Sequence, residues 1–288
     1  MTTEEALAGS LWIQYTISRV AIGRHEINYL RAGQGAPLVL LHGANFGWGV
    51  WYPNIPVLAK HFTVYAVDLP GAGRSSRVDY RTLDPALDLY DVVVQWMNRL
   101  GITGADVIGC SIGGWIAMKL ALEHAEMVKR LVILNSVGLA NYMGRGERMI
   151  GLYSLANIIA KTVLRPTRNN KNIERFLRGI FYNKNIELRP EFIEYFYETM
   201  ATSHNLLFIS RLTALEDTFL LENELPRISQ PTAIIWGKND HIIPLEKNQA
   251  SFSRIPRVEI SLIENAGHIP SLEQPAAFNE QTLAFLGT

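Results

Sequence analysis

The sequence predicts an α/β fold, a mostly parallel sheet flanked by helices and interrupted by a helical insertion, and three observations lead to it. Short β-rich apolar runs alternate with longer segments of helical period, the pattern of strands joined by crossover helices. The central runs are apolar at consecutive positions, as in strands buried on both faces. The alternation then stops between about residues 136 and 224 and resumes at 231.

The candidate strands, in order, are EINYLRA (26–32), PLVLLH (37–42), FTVYAVD (62–68), ADVIGC (105–110), RLVILN (130–135), TAIIWG (232–237) and VEISLIE (258–264). PLVLL, VYAV, LVIL and AIIW are the doubly buried cores. Helices are expected near 84–100, 112–124, 244–254 and 275–286. The first opens on Asp84-Pro85, a good N-cap followed by proline at the first helical position. Residues 136–224 offer helical patterns, no convincing strand, and 11 of the chain's 22 Phe and Tyr residues. The chain therefore divides into a core of residues 1–135 and 225–288 and a helical cap of 136–224. The cap aromatics either line a pocket for an apolar group or pack the cap helices together. Its charge is uneven: residues 145–189 hold ten Lys or Arg against three Glu, and 190–224 hold seven acids against one Arg. Pairing of complementary faces accounts for this more simply than a binding patch.

Bulk composition narrows the function classes. Lys plus Arg and Asp plus Glu each total 27, so no global field draws in nucleic acid or an anionic membrane. No run approaches the ~20 apolar residues of a membrane span, and MTTEEALAGSLWIQY lacks the basic start and apolar stretch of a secretory signal. A single cysteine, Cys110, excludes an internal disulfide and a multi-Cys zinc cage. A reducing cytoplasm is the expected compartment, and neither a metal nor a cofactor is expected.

Chemistry concentrates at VIGCSIGGW. Gly109-Cys110-Ser111-Ile112-Gly113 fits G-x-S-x-G between a strand and a helix, the nucleophile elbow in which a strained turn thrusts a serine out of the sheet. Glycines two before and two after leave room for that turn, and Gly114 lets the helix pack close. A dinucleotide fingerprint fails, because it would need glycine at Ser111, and GAGRSS at 71–76 lacks its third glycine. Cys110 lies one residue off the apex and reads as a small buried strand-end residue.

A serine hydroxyl needs a base, and the base needs an orienting group. His268, in ENAGHIP just after the last strand, is the candidate base. His25 and His61 lie at strand edges, His124 at a helix end and His204 in the cap. The orienting acid should sit on another loop at the same sheet edge. WGKNDHIIP supplies Asp240; the alternative position, after the strand that follows the elbow helix, holds Asn135. Asp68 also ends a strand, but its glycine-rich loop reads as structural. HGAN, after PLVLL, can aim a backbone N–H at a developing oxyanion, and Ala44 and Ile112 are the candidate donors. His42 reads as a buried ring that fixes this loop.

With HGAN, DLPGAGRS, GCSIGG, WGKND and NAGHIP in this order, the chain resembles the α/β-hydrolase fold family over almost its whole length outside the cap. The resemblance implies a largely parallel eight-stranded sheet, a cofactor-free triad in the order Ser111, Asp240, His268, and a cap that shapes the pocket. Haloalkane dehalogenases and epoxide hydrolases carry aspartate at the nucleophile position, where this chain has Ser111. Meta-cleavage-product hydrolases, which split carbon–carbon bonds, are similar in length, cap placement and motif order. They usually carry Asn before the serine, Trp after the histidine and an arginine in the cap. Here Cys110 and Ile269 stand at the first two places, and IELRPEFIEYFYETM offers no clear counterpart of the third.

The expected function is therefore a serine hydrolase acting on carboxylic esters of small to medium apolar substrates, with carbon–carbon hydrolysis as the alternative. A binding protein that kept the fold would need none of these groups aligned.

Overall fold

In the computed structural model, residues 1–44, 46–79, 81–140, 177–200, 211–212 and 215–288 are described. One eight-stranded sheet organises them: β1 (Tyr15–Ile22), β2 (His25–Ala32), β3 (Ala36–Leu41), β4 (Phe62–Val67), β5 (Ala105–Cys110), β6 (Val128–Leu134), β7 (Thr232–Gly237) and β8 (Val258–Ile263). Their spatial order is β1-β2-β4-β3-β5-β6-β7-β8. β2 runs antiparallel to β1 and to β4, and every other pairing is parallel. All seven expected strands form, with ends shifted by a residue or two. The eighth, β1, lies at the sheet edge and carries a half-exposed alternation instead of an apolar run.

β5 and β7 are buried at all six positions each, and the alternation of their side chains creates two cores. Leu41, Val107, Ile133 and Trp236 face one side, with α3 (Asp91–Arg99), α4 (Ile112–Glu123) and α6 (Leu245–Phe252). Leu40, Ile108, Leu134 and Ile235 face the other, with α1 (Thr3–Gly9), α2 (Ile55–Leu58), α5 (Pro190–Met200) and α8 (Pro275–Leu286). Each fully buried Leu or Ile contributes about 1.5–3 kcal/mol, so the sheet centre is the main source of stability. α7 (Pro270–Glu273) is one turn preceding α8.

The helix signals act as the sequence implies. Asp84 Oδ1 accepts from the N–H groups of Ala86 and Leu87, at 2.9 and 3.3 Å. A π-helical segment over Ala86–Tyr90 then leads into α3. α1 was not foreseen, although Thr2 and Glu5 form a capping box, each side chain accepting from the other's backbone N–H.

Much of the cap expected over 136–224 lies outside the described residues, at 141–176, 201–210 and 213–214; seven of the ten basic residues of 145–189 fall there, whereas the seven acids of 190–224 are all described. Its described part contains α5 and no strand. There Phe181, Phe192, Tyr195 and Phe196 are buried, and three of them stack on the core: Phe192 on Tyr52, Tyr195 on Trp48 and Phe196 on Phe46, at 5.1–5.6 Å between ring centres. For these rings, packing wins over pocket lining. No described helix is long and apolar enough to cross a membrane.

The carboxyl ends of β3, β5, β6, β7 and β8 share one edge, where open parallel sheets place their binding sites. At the opposite end of β5, Asp106 and Arg130 form a two-pronged ion pair at 2.6–2.7 Å, and Arg130 also donates to the Leu286 carbonyl at the end of α8. Asp106 is nearly inaccessible, whereas the Arg130 side chain keeps 20% exposure. Removing either partner costs about 2–3 kcal/mol, roughly 5–10 °C in Tm. Arg130→Ala should cost more than Asp106→Ala, because it strands the buried carboxylate, and the double variant should recover part of that loss. Thermal unfolding of all three checks the order.

Candidate active site

Ser111 is the hinge between β5 and α4, with φ 55° and ψ −118°, a conformation a side chain adopts only under constraint. The constraint is space. A Cβ on Gly109 would lie 2.2 Å from the Gly113 carbonyl oxygen, and one on Gly113 would lie 2.3 Å from that of Leu41. A Cβ on Gly114 would lie 2.4 Å from Ser136 Oγ. The first turn of α4 therefore presses against the ends of β3 and β6. The Ser111 N–H donates to the Leu134 carbonyl at 3.0 Å, and Ser136 Oγ donates back to the Ser111 carbonyl at 3.1 Å.

The same closeness brings the loop after β3 to the serine. A Cβ on Gly43 would stand 3.2 Å from Ser111 Cβ and 3.8 Å from its Oγ. Ala44 follows Gly43 in this loop, and Ile112 follows Ser111 as the first residue of α4. The Ile112 N–H belongs to the first helical turn, whose donors have no partner within the helix. His42 anchors this loop as expected: Nε2 accepts from the Leu69 N–H at 2.9 Å and Nδ1 donates to the Gly43 carbonyl at 2.5 Å. Burial lowers its pKa to about 4, against the opposing pull of that carbonyl, so the ring stays neutral near pH 7.

His268 and Asp240 meet directly. His268 Nδ1 donates to Asp240 Oδ2 at 2.9 Å, with both side chains almost wholly buried. A proton on Nδ1 leaves Nε2 of the neutral ring as the acceptor. Asp240 Oδ1 accepts from the N–H groups of Ile242 and Ile243, at 2.8 and 3.0 Å, and Oδ2 also accepts from Asn135 Nδ2 at 2.7 Å. Burial alone would raise its pKa; the His268 charge and hydrogen bond, the Ile243 N–H and Asn135 outweigh it, and the net shift is downward. Asp240 is held as a carboxylate.

Asn135, passed over as an acid, sits at that alternative position and hydrogen-bonds the candidate acid, Asp240. At φ 42° it donates to Asp240 and to the Gly267 carbonyl and accepts from the Gly237 N–H, so one side chain joins the ends of β6 and β7 to the histidine loop. Its position at a strand end next to the elbow was the available signal. Cys110 is buried, and its thiol reaches the His268 carbonyl at 4.0 Å. Burial, then the charge of Asp240, pushes the thiol pKa well up, which makes it a poor nucleophile. This contact brings the residue before Ser111 to the loop that carries His268. Among the described residues no hydrogen bond joins Ser111 Oγ to the ring, and such bonds commonly tighten only when a substrate is seated. No group of three His, Cys, Asp or Glu among the described residues could hold a metal ion.

Asp68 does more than shape a loop. Fully buried, it accepts from the N–H groups of Trp48 and Arg74 and from Asn28 Nδ2, at 2.6–2.8 Å. Asn28 Nδ2 also reaches Glu4 Oε1 at 2.7 Å, and Trp48 Nε1 reaches the same oxygen at 2.8 Å. Two carboxylates thus tie α1 and the segment after Ala44 to the end of β4.

The chain belongs to the α/β hydrolase fold family, whose model matches residues 36–275. A 2-hydroxy-6-oxononadienedioate/2-hydroxy-6-oxononatrienedioate hydrolase of Comamonas testosteroni is 27% identical, over 94% of each chain. A pimeloyl-[acyl-carrier protein] methyl ester esterase of Vibrio vulnificus (strain YJ016) is 24% identical, over 91% of this chain and 98% of that protein. The solved structure of a bacterial membrane phospholipase A superposes with a TM-score of 0.81 at 23% identity, covering 99% of this chain and 91% of that one.

Burial, reinforced by the charge of Glu4, raises the pKa of Asp68 to about 7, although its N–H partners pull the other way. A carboxyl that keeps its proton in the folded state but loses it near pH 4 when unfolded stabilises the fold fully at low pH. That contribution is lost as pH rises from about 4 to about 7. Tm should fall across this window, and Glu4→Gln should flatten the fall; a pH series of unfolding scans on both proteins checks it.

Proposed function

We propose that this chain is a serine hydrolase that cleaves carboxylic esters of small to medium apolar substrates through an acyl-enzyme on Ser111. The observation that carries the reading is the buried His268–Asp240 pair, with the His268 loop touching Cys110, the residue before a serine at a φ 55° elbow. Ser111 Oγ attacks the acyl carbon while His268 Nε2 takes its proton. Asp240 holds the ring by Nδ1 and stabilises the imidazolium. The oxyanion forms toward the Ala44 and Ile112 N–H groups, where a single donor is worth ~10²–10³ in rate. His268 returns the proton to the leaving alcohol, and water activated by the same ring releases the acid. No step calls on a metal or cofactor.

Cleavage of a carbon–carbon bond by the same residues is the second reading. It is favoured by the Comamonas relative, aligned over 94% of this chain. Two features weigh against it. Cys110 and Ile269, at the positions where meta-cleavage-product hydrolases usually carry Asn and Trp, are both buried and apolar in character. Arg189, in IELRPEF, is turned to the Ser10 carbonyl and to the Tyr52 ring instead of the serine.

Hydrolysis of p-nitrophenyl esters of increasing acyl length by the wild type, Ser111→Ala and His268→Ala tests the proposal. Both variants should lose at least about 10⁴-fold in kcat with the fold retained. Full turnover in Ser111→Ala would refute the acyl-enzyme. Feeble ester turnover, with bleaching of a coloured dienol-diketone, would move the assignment to the carbon–carbon bond.

A further inference from the structure

The N–H groups on either side of His268 converge on one buried acceptor. Gly267 and Ile269 both donate to Glu273 Oε1, at 3.0 and 3.3 Å. Its other oxygen, Oε2, accepts from the N–H groups of Tyr182 and Asn183, at 2.8 and 3.1 Å. Glu273 closes α7 and is 4% exposed. Four backbone donors nearly fill the capacity of a carboxylate. The two loops it joins also touch: a Cβ on Gly267 would stand 3.0 Å from the Tyr182 backbone nitrogen and 3.1 Å from its Cβ.

We propose that Glu273 is a positioning residue for His268, tying the backbone on both sides of the base to the loop at Tyr182 and Asn183 that leads into α5. The proposal rests on the assignment of His268 as the base. The ring is oriented from two directions, by Asp240 through Nδ1 and by Glu273 through the main chain. Because the second anchor is shared with the insertion, the base is aligned only while that loop is seated. A misplacement of about 1 Å costs on the order of 10²-fold in rate, and one side chain controls this displacement.

Glu273→Gln preserves shape but presents an amide NH₂ to one pair of backbone donors. In the full-length chain it should lower kcat/KM for a short p-nitrophenyl ester by about 10- to 100-fold. The acid limb of the kcat/KM profile should move to lower pH, because a looser Asp240 contact and a lost nearby charge both withdraw support from the imidazolium. In ¹⁵N-histidine-labelled protein, the low-field Nδ1–H proton of His268, assigned by its loss in His268→Ala, should broaden or move upfield. Arg130→Ala, a destabilising change at the opposite end of β5, should leave limb and resonance unchanged. Glu273 is a mere staple if its variant loses activity in proportion to unfolding, with wild-type limb and resonance. Should Glu273→Gln fail to fold, Gly267→Ala keeps the carboxylate and pushes the loops apart, and it should shift limb and resonance the same way to a smaller extent; no shift overturns the proposal. The resonance reports on Glu273 even if Ser111→Ala retains turnover, so failure of the serine reading stays distinguishable.

Discussion

The contact on which the structure depends is the one between the first turn of α4 and the carboxyl end of β3. It leaves no room for a Cβ on Gly113, 2.3 Å from the Leu41 oxygen, or on Gly109 beneath it. Because the helix cannot retreat, the residue between strand and helix must turn sharply, and Ser111 takes up that turn at positive φ. The same closeness sets Gly43 against Ser111 and so determines where the loop carrying Ala44 begins. Position of the hydroxyl and position of the proposed oxyanion donors are therefore one geometric fact. A parallel sheet makes it possible, since β3, β5 and β6 all end at this edge.

Around this contact the fold buries carboxylates and holds them mainly with N–H donors instead of cations. An ionised carboxylate is costly to bury unless its oxygens are filled. Glu273 is filled by four backbone amides, whereas Asp68, with two backbone amides and Asn28, does not escape the cost and keeps its proton up to about pH 7. Asp240 is filled by two amides, Asn135 and His268. Backbone donors are rigid and add no mobile countercharge that could compete for the imidazolium. Each of these acids also joins segments distant in sequence: Asp68 draws β2 to the turn after Ala44, Asp240 links β7 to β8, and Glu273 links the histidine loop to the insertion. The polar network thus does, at the loop edge, what apolar packing does at the centre of the sheet.

How far the sequence revealed this follows from what leaves a local mark. Doubly buried strands show as apolar runs, so β3 to β7 were legible; β1, an edge strand with one partner, alternates with polar residues and was missed. The elbow was legible because its steric demand writes three glycines within six residues. His268 and Asp240 followed from loop position, since parallel strands deliver their following loops to one edge. Asn135, Glu273 and Glu4 were not legible. Their roles are defined by distant partners, 90 to 132 residues away for the first two, and by the Asn28 and Trp48 side chains for the third, and a lone acid in SLEQP or TTEE looks like any solvated one. The capping box at Thr2 was readable, yet it marks only where α1 starts, not that Glu4 is drawn inward.

The distinction between ester and carbon–carbon cleavage turns on groups beyond the triad. Both reactions need a nucleophile or activated water, an oxyanion site and a base poised to return a proton, and the three side chains proposed for the one would serve the other. They differ in where the proton goes, to an alcohol oxygen or to a substrate carbon, and a carbon acceptor is met only if the substrate is held so that this carbon lies against the ring. Such holding needs polar groups fixed around the histidine. Here the immediate neighbours of His268 in sequence, Gly267 and Ile269, have no side-chain donor for a charged diketone, and the thiol of Cys110, the neighbour of the serine, is turned to the His268 carbonyl. An ester would ask for less, because its leaving oxygen carries lone pairs that take a proton directly, whereas a leaving carbon must first gain carbanion character aimed at the ring. The described neighbours of His268 are in that respect better matched to the proposed ester reading.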